Sequence, residues 1–297
     1  MTGAIDIKKE AIASRERAAG PWREGWRSFK KSKISLVGAG LVVFFILLAV
    51  FGPLIAPQGI NEQDLSKRLL APSSAHWFGT DDFGRDILSR IIYGARISLR
   101  IGFFAVILSV VVGSTLGILA GYYGKWIDTI ISRIFDIMLA FPSILLAIAV
   151  VAVLGPSLQN ALIAIAIINV PNFGRLIRSK VLSVKEEEYI VAAKAIGMRD
   201  SRILFSHILP NSMTPIIVQG TLAIATAIIE AAALGFLGLG AQAPAPEWGK
   251  MLADARIYLL KAPWTMIFPG LAIMLTVLGF NLMGDGLRDA LDPKMKS

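Results

Sequence analysis

The sequence has no cysteine and only two histidines among its 297 residues. Without cysteine the chain cannot form a disulfide or a thiolate metal site. Neither His76 nor His207 belongs to a His-Glu-x-x-His zinc pattern, and there is no Gly-x-Ser-x-Gly nucleophile motif. The glycine-rich run GFLGLG, at 235–240, lacks the lysine and the serine or threonine that complete a phosphate loop. The sequence therefore predicts no catalytic centre, no metal site and no ATP site in this chain.

Charged residues are also scarce, at 17% of the chain against 55% hydrophobic residues, and the mean hydropathy is +0.65. This composition is typical of membrane proteins. Long stretches, such as 101–124 and 137–174, contain no Asp, Glu, Lys or Arg. Because a spanning helix needs about 20 apolar residues, the sequence predicts an all-α polytopic membrane protein with six spans. The predicted spans are 34–55, 100–122, 132–154, 158–177, 212–238 and 264–284.

The distribution of lysine and arginine predicts the orientation. Six spans place both termini on one side, and that side holds 21 of the 30 lysines and arginines. The positive-inside rule makes it cytoplasmic. The chain thus divides into a cytoplasmic tail, 1–33, and a membrane domain, 34–297. This excess accounts for most of the net charge of +9, and no base-stacking aromatic platform accompanies it, so membrane lipid rather than nucleic acid is the predicted partner.

Two segments are predicted to lie along the membrane surface. Trp22, Trp26 and Phe29 share one helical face in PWREGWRSFKKSK, with basic residues beside them. The run GRDILSRIIYGARISLR, at 84–100, carries four arginines on the predicted outer side. Both patterns are typical of amphipathic helices in the interface.

Within the spans, small residues and proline predict packing and bending. Gly113, Gly117 and Gly121 repeat every fourth residue and predict close approach of another helix. Pro142, Pro171 and Pro215 lie in or at the edge of predicted spans, where they are predicted to bend the helices and free backbone carbonyls.

A few ionisable residues lie in or near the predicted spans. Glu230, deep in the fifth span, either lines a path for a polar substrate or is a buried, hydrogen-bonded acid that fixes helix packing. Asp136 is predicted to pair with Arg133, one turn away.

The loop at 178–211 is predicted to form two short helices. Gly197 can end the first in the left-handed conformation, and Asp200 or Ser201 can cap the second. Pro210 is predicted to stop the second helix before the fifth span. Such a compact unit, with an apolar edge and basic flanks, is suited to a groove on a soluble partner.

The same loop resembles the coupling loop of ABC importer permeases, whose pattern is Glu-Ala-Ala, three residues, Gly, nine residues, Ile-x-Leu-Pro. Val191 and His207 depart from that pattern. Around these positions the sequence is similar to the peptide and nickel branch of the family, in which the residues found here as Glu188-Tyr189 and HILPN (207–211) are common. The matching positions are Ala192, Ala193, Gly197, Leu209 and Pro210.

Three further blocks, 76–99, 232–252 and 281–294, resemble the C-type permease subunit of dipeptide, oligopeptide and nickel ABC importers. The resemblance implies a type I importer permease in a bacterial or archaeal inner membrane, working by alternating access. It implies a homologous B-type permease, two ATPase subunits that bind ATP and Mg, and an extracytoplasmic solute-binding protein. The implied substrate is a dipeptide or oligopeptide, or alternatively a nickel chelate. No cofactor is expected in this chain.

A membrane-embedded enzyme or a stand-alone channel is the alternative from another class, and it leaves the coupling loop without a purpose.

The resemblance also suggests which residues contact the partner subunits. The residues implied in ATPase coupling are Glu188, Tyr189, Ala192, Ala193, Gly197, Ser201, His207, Leu209 and Pro210. The charged and aromatic residues of the outer loops, which either contact the binding protein or pair with one another, are Asp81, Asp82, Arg85, Asp86, Glu247 and Trp248.

Overall fold

The computed structural model describes residues 21–291, and their regular structure is helical. The predicted tail before Pro21, with the side chain of Trp22, and residues 292–297 lie outside what is described. Over 21–291 no strand forms, and extended pairing is limited to one bridge between Thr80 and Asp86. The helices are α1 (Pro21–Lys31), α2 (Lys33–Ile55), α3 (Ile87–Tyr123), α4 (Lys125–Ala140), α5 (Ser143–Leu154), α6 (Leu158–Val184), α7 (Glu188–Ala195), α8 (Asp200–Ile203), α9 (Leu209–Phe236), α10 (Trp248–Ala255) and α11 (Trp264–Leu291).

Five helical runs are long and apolar enough to cross a membrane: α2, α3, α6, α8 continued into α9, and α11. The pair α4 and α5 meets the same test only when taken together, with a bend of 98° between them. The structure therefore confirms an all-α membrane protein, with five spans or with six when the bent pair is one of them.

The predicted third span, 132–154, is not a straight helix. α4 ends at Ala140 and α5 begins at Ser143. Pro142 lies at the break, where it has no N–H to donate to the preceding turn. It also forces Phe141 out of the helical region, to a ψ of 143°. The predicted bend at Pro142 is confirmed, and it divides the predicted span into two helices.

The segment 84–100 is not a separate surface helix, because from Ile87 onward it forms the beginning of α3 and packs inside the bundle. Asp86 caps this helix by accepting hydrogen bonds of 2.8 Å from the backbone N–H and the hydroxyl of Ser89. Arg90, 3% exposed, lies 3.5 Å from the carboxylate of Asp81. The prediction of a separate amphipathic segment before the second span was therefore wrong, and a carboxylate from the preceding loop neutralises the arginine that is buried there.

α3 packs closely against α6, and glycines make the approach possible. A Cβ atom on Gly113 would lie 2.6 Å from the carbonyl oxygen of Val170, and one on Gly117 would lie 2.4 Å from that of Gly174. These distances are too short for any side chain, so the two backbones are in direct contact. The predicted small-residue packing face is confirmed.

Buried apolar side chains form three clusters along the bundle. We name the end that contains residues 56–86 and 237–263 the outer end, and the end that contains 178–211 the inner end, after the predicted orientation. The outer cluster surrounds Trp248, the central one contains Ile165 and Phe173, and the inner one contains Ile190 and Ile203. Each end of the molecule thus has its own core, which can hold loop residues in fixed positions.

Candidate functional site

The segment 185–211 at the inner end begins with α7, and Gly197 ends this helix. The N–H of Gly197 donates to the carbonyl of Lys194, and the N–H of Met198 donates to that of Ala193, each at 3.0 Å. This pair of bonds is a Schellman motif, which requires a left-handed residue at Gly197. Its φ is +78°, a value that glycine adopts without strain. The predicted joint between two helices is therefore present at Gly197.

The second helix differs from its prediction in two respects. Arg199 occupies the N-cap position, and neither Asp200 nor Ser201 caps the helix through its side chain. Pro210 does not stop it, because a π-helical turn at 204–208 widens the backbone and the helix continues to Phe236. Local π adjustments of this kind accommodate the backbone groups that a proline frees in a membrane helix.

One backbone bond and two side-chain bonds complete the hydrogen bonding around this wide turn. The N–H of Leu209 donates to the carbonyl of Leu204, five residues back. The Asn211 amide donates to the carbonyl of His207 at 2.7 Å, and the Ser212 hydroxyl to that of Ile208 at 2.9 Å. We name 185–211 the coupling segment after its predicted role. Its second half, from Asp200, is thus continuous with the membrane helix α9.

The segment is anchored on one side and presents apolar residues on the other. Ile190, Ile203 and Ile208 are completely buried against the end of α6. Ile196 and Phe205, by contrast, are 80% and 71% exposed. Exposed apolar residues on a rigid support are typical of a protein-binding surface.

The predicted coupling residues surround this surface. Tyr189 and His207 lie close together, with 6.0 Å between their ring centroids. Asn211, which the sequence did not single out, joins them by donating at 3.1 Å to the Tyr189 hydroxyl. Only Ala193 is buried. Those that are exposed are Glu188, Tyr189, Ala192, Gly197, Ser201 and Pro210, and those that are half-buried are His207 and Leu209.

Glu230 lies inside the bundle, where α9 meets α6. It is 8% exposed, and its Oε2 accepts a hydrogen bond of 2.9 Å from the amide of Asn169. Asn169 was not singled out from the sequence, because the two residues are 61 positions apart and hydropathy carries no information on their pairing. A buried acid with one hydrogen bond fits either of the two predicted roles.

The charged residues near the inner ends of α4 and α6 also pair across helices. Arg175 contacts Asp136 at 2.5 Å, so the prediction that Asp136 pairs with Arg133 was wrong. Arg178 contacts Asp128 in the same way through two nitrogen atoms, at 2.5 and 2.7 Å. Bonds between helices replace the local pair because α6 packs beside α4 at this level. Among residues 21–291, no group of three or more histidines and acids could hold a metal ion.

At the outer end, most of the predicted contact residues are engaged within the chain. Arg85 donates to Asp81 at 2.6 Å. Asp86 contacts His76 at 3.2 Å in addition to capping α3. Asp82, with its side chain 20% exposed, is the most accessible of the six, and burial followed by the negative charge of Asp81 raises its pKa. The structure therefore favours mutual pairing of these charges over surface exposure.

Glu247 and Trp248 hold α10 against α3. Glu247 caps α10 by accepting bonds of 2.9 and 2.8 Å from the N–H groups of Gly249 and Lys250. Burial raises the pKa of Glu247, although these bonds act in the opposite direction. Trp248 is completely buried and donates from Nε1 to the carbonyl of Ile91 at 3.1 Å. Neither side chain is accessible to a partner in this conformation.

Comparison with known proteins identifies relatives over nearly the whole chain. The family described as the inner membrane component of binding-protein-dependent transport systems matches residues 113–297, and the N-terminal transmembrane domain of oligopeptide transport permease C matches 20–72. A dipeptide transport system permease protein of Alkalihalophilus pseudofirmus is 68% identical over 94% of this chain and 92% of the relative. A glutathione transport system permease protein of Pectobacterium atrosepticum is 51% identical over 93% of this chain and 92% of the relative.

Solved structures support the same fold at lower sequence identity. A methionine ABC transporter in an inward-facing conformation aligns with a TM-score of 0.53 and 19% identity, covering 68% of this chain and 96% of that chain. An amino acid ABC transporter aligns with a TM-score of 0.52 and 16% identity, covering 66% and 91%. These alignments establish the fold that the chain shares with ABC importer permeases.

Proposed function

Because the chain belongs to the family of inner membrane components of binding-protein-dependent transport systems, we propose that it moves dipeptides or oligopeptides across the inner membrane as one permease subunit of an ABC importer. The proposal of a peptide substrate rests on the 68% identity to a dipeptide transport permease. The nickel chelate remains the alternative within the family. The permease fold itself gives no support to a membrane-embedded enzyme or a stand-alone channel.

The proposed complex contains a homologous permease, two ATPase subunits that bind ATP and Mg, and an extracytoplasmic binding protein. The coupling segment supplies the docking surface. One side of it packs against the inner cluster, and the other side exposes Ile196 and Phe205. Movement of the ATPases on binding ATP would move this rigid segment together with α9, to which it is joined without a break. The two bundles then switch between two packings whose populations the nucleotide sets.

Uptake measurements test the substrate. In cells that keep the partner genes, deletion of this gene is expected to abolish uptake of a labelled dipeptide and to leave uptake of nickel unchanged. Expression of the intact chain from a plasmid should restore dipeptide uptake. Loss of nickel uptake with normal dipeptide uptake would reject the peptide proposal in favour of the nickel alternative.

The same assay separates the two roles of Glu230. If its carboxylate lines the pathway, Glu230→Gln changes dipeptide uptake while the amount of permease in the membrane stays constant. If it serves packing with Asn169, uptake and abundance fall together. The second outcome would overturn the proposed pathway role.

Crosslinking tests the docking surface. The chain has no native cysteine, so Ser201→Cys introduces a unique thiol at an exposed position between the two exposed apolar residues. We expect a bifunctional reagent to link it to an ATPase subunit. Ser74→Cys, exposed at the outer end, is the matched control and should give no such product. Absence of a Ser201 product in every nucleotide state would contradict docking at this segment.

A further inference from the structure

Tyr122, in the last turn of α3, makes two contacts with the coupling segment. Its hydroxyl donates a hydrogen bond of 2.5 Å to Oδ1 of Asp200. The Lys194 ammonium lies 5.1 Å from the centroid of the same ring, within the range of a cation–π interaction. Two different attractions thus hold one tyrosine, and both come from the segment 185–211.

These two contacts come from opposite sides of the Gly197 joint. Lys194 lies in the last turn of α7, whereas Asp200 is the first residue of α8. A carboxylate at a helix start commonly caps that helix, but the side chain of Asp200 bonds to Tyr122 instead. The tyrosine therefore connects both short helices to a third helix that is distant in sequence.

A further bond strengthens the attachment to α3. The Lys185 ammonium donates at 3.1 Å to the carbonyl of Gly121, one of the carbonyls left without a partner at a helix C-terminus. A positive charge there also suits the helix dipole. The end of α3 is thus bound by residues on both flanks of α7.

Above Tyr122, α3 is in backbone contact with α6 at Gly113 and Gly117. The two helices pack closely from Gly113 to Gly121, so we expect them to move together. The coupling segment is connected to the membrane helices in three ways. The chain joins it to α6 at Lys185 and to α9 without a break, and its side chains hold the end of α3 at Tyr122.

We propose that Tyr122 is a positioning residue for transport, which passes movement of the coupling segment to the α3–α6 pair through Asp200 and Lys194. The inference rests on the proposed function as an ATP-driven importer. Without the tyrosine hydroxyl, the end of α3 would follow the coupling segment less closely than α6 and α9 do, and hydrolysis would proceed with fewer substrate molecules moved.

The test uses the complete complex with its partner subunits in liposomes and a binding protein loaded with dipeptide. Tyr122→Phe keeps the ring and the cation–π contact but removes the hydrogen bond. We expect severalfold more ATP hydrolysed per dipeptide transported, because hydrolysis continues while the movement of α3 is no longer tied to it. Assembly and hydrolysis without binding protein should be unchanged. The neighbouring substitution Tyr123→Phe is the matched control, because Tyr123 is 47% exposed, and it should leave the ratio unchanged.

A second pair of variants tests the bond from its other side. Asp200→Asn retains an oxygen acceptor and should keep most of the coupling, whereas Asp200→Ala should reproduce the Tyr122→Phe ratio, and combining Asp200→Ala with Tyr122→Phe should add nothing further. An unchanged ratio in Tyr122→Phe, or an equal loss of assembly and transport, would overturn the role of Tyr122. A wild-type complex that transports no dipeptide would instead contradict the proposed function.

Discussion

Substituting Gly117→Ala is expected to lower the amount of protein in the membrane severalfold. The new Cβ would lie 2.4 Å from the carbonyl oxygen of Gly174 and 3.1 Å from the backbone nitrogen of Arg178. Both are backbone atoms, which cannot rotate away, so α3 and α6 must separate along their length. Overpacking of this kind costs about 1–3 kcal/mol, and losses of that size reduce cellular abundance severalfold.

Gly220→Ala is the matched control for this substitution. Gly220 lies inside α9, and a Cβ there meets no atom within 4 Å. Because alanine favours a helix interior over glycine by about 1 kcal/mol, this variant should be at least as abundant as the native chain. The measurement is the amount of tagged protein in isolated membranes together with its thermal midpoint in detergent. Equal behaviour of the two alanine variants would contradict the packing at Gly117.

The features that were predictable from the sequence depend on local patterns. Charge-free stretches identify apolar helices because a charge inside the membrane is costly, whatever the helices pack against. Gly197 identifies a helix end because few other residues adopt the left-handed backbone conformation. The Gly113 and Gly117 spacing places two small residues on one face by helix geometry alone. These inferences required no knowledge of the tertiary structure.

The features that were missed depend on partners distant in sequence. Arg90 resembled a surface charge because its partner, Asp81, precedes the helix in an irregular loop. The bond from Tyr122 to Asp200 joins residues 78 positions apart, and Asn169 reaches Glu230 across 61. Polar pairs such as these are chosen by the packing of whole helices, so a pattern within a single segment does not reveal them.

Proline had a different effect in each local setting. Pro142 separates α4 from α5, as its missing N–H predicts. Pro210 follows a π-helical turn, and there the helix continues. Recognising that difference requires the backbone geometry of the preceding turn, since in both places a proline stands between an apolar and a polar residue.

Trp248→Ala is expected to destabilise the outer end more than any other single truncation there. Trp248 is completely buried, its ring packs edge-to-face on Phe45 with 5.8 Å between centroids, and its Nε1 donates to the carbonyl of Ile91. A Cβ on Gly94 would lie 2.8 Å from the indole ring, so the helix backbone rests directly on it. Truncation leaves a cavity and removes the hydrogen bond from the indole, and removing a buried tryptophan costs about 3–5 kcal/mol.

The matched control is Trp77→Ala, at the same end of the molecule, where the side chain is 68% exposed. We expect Trp248→Ala to lower the thermal midpoint and the membrane abundance strongly and Trp77→Ala to change neither. Because α10 joins α3, α9 and α11 at the outer end, loss of Trp248 should also expose this region to added protease before the inner end is affected. A Trp248→Ala protein with the native midpoint would show that α10 is held by Glu247 and the backbone contacts of Gly249, and that the tryptophan contributes little.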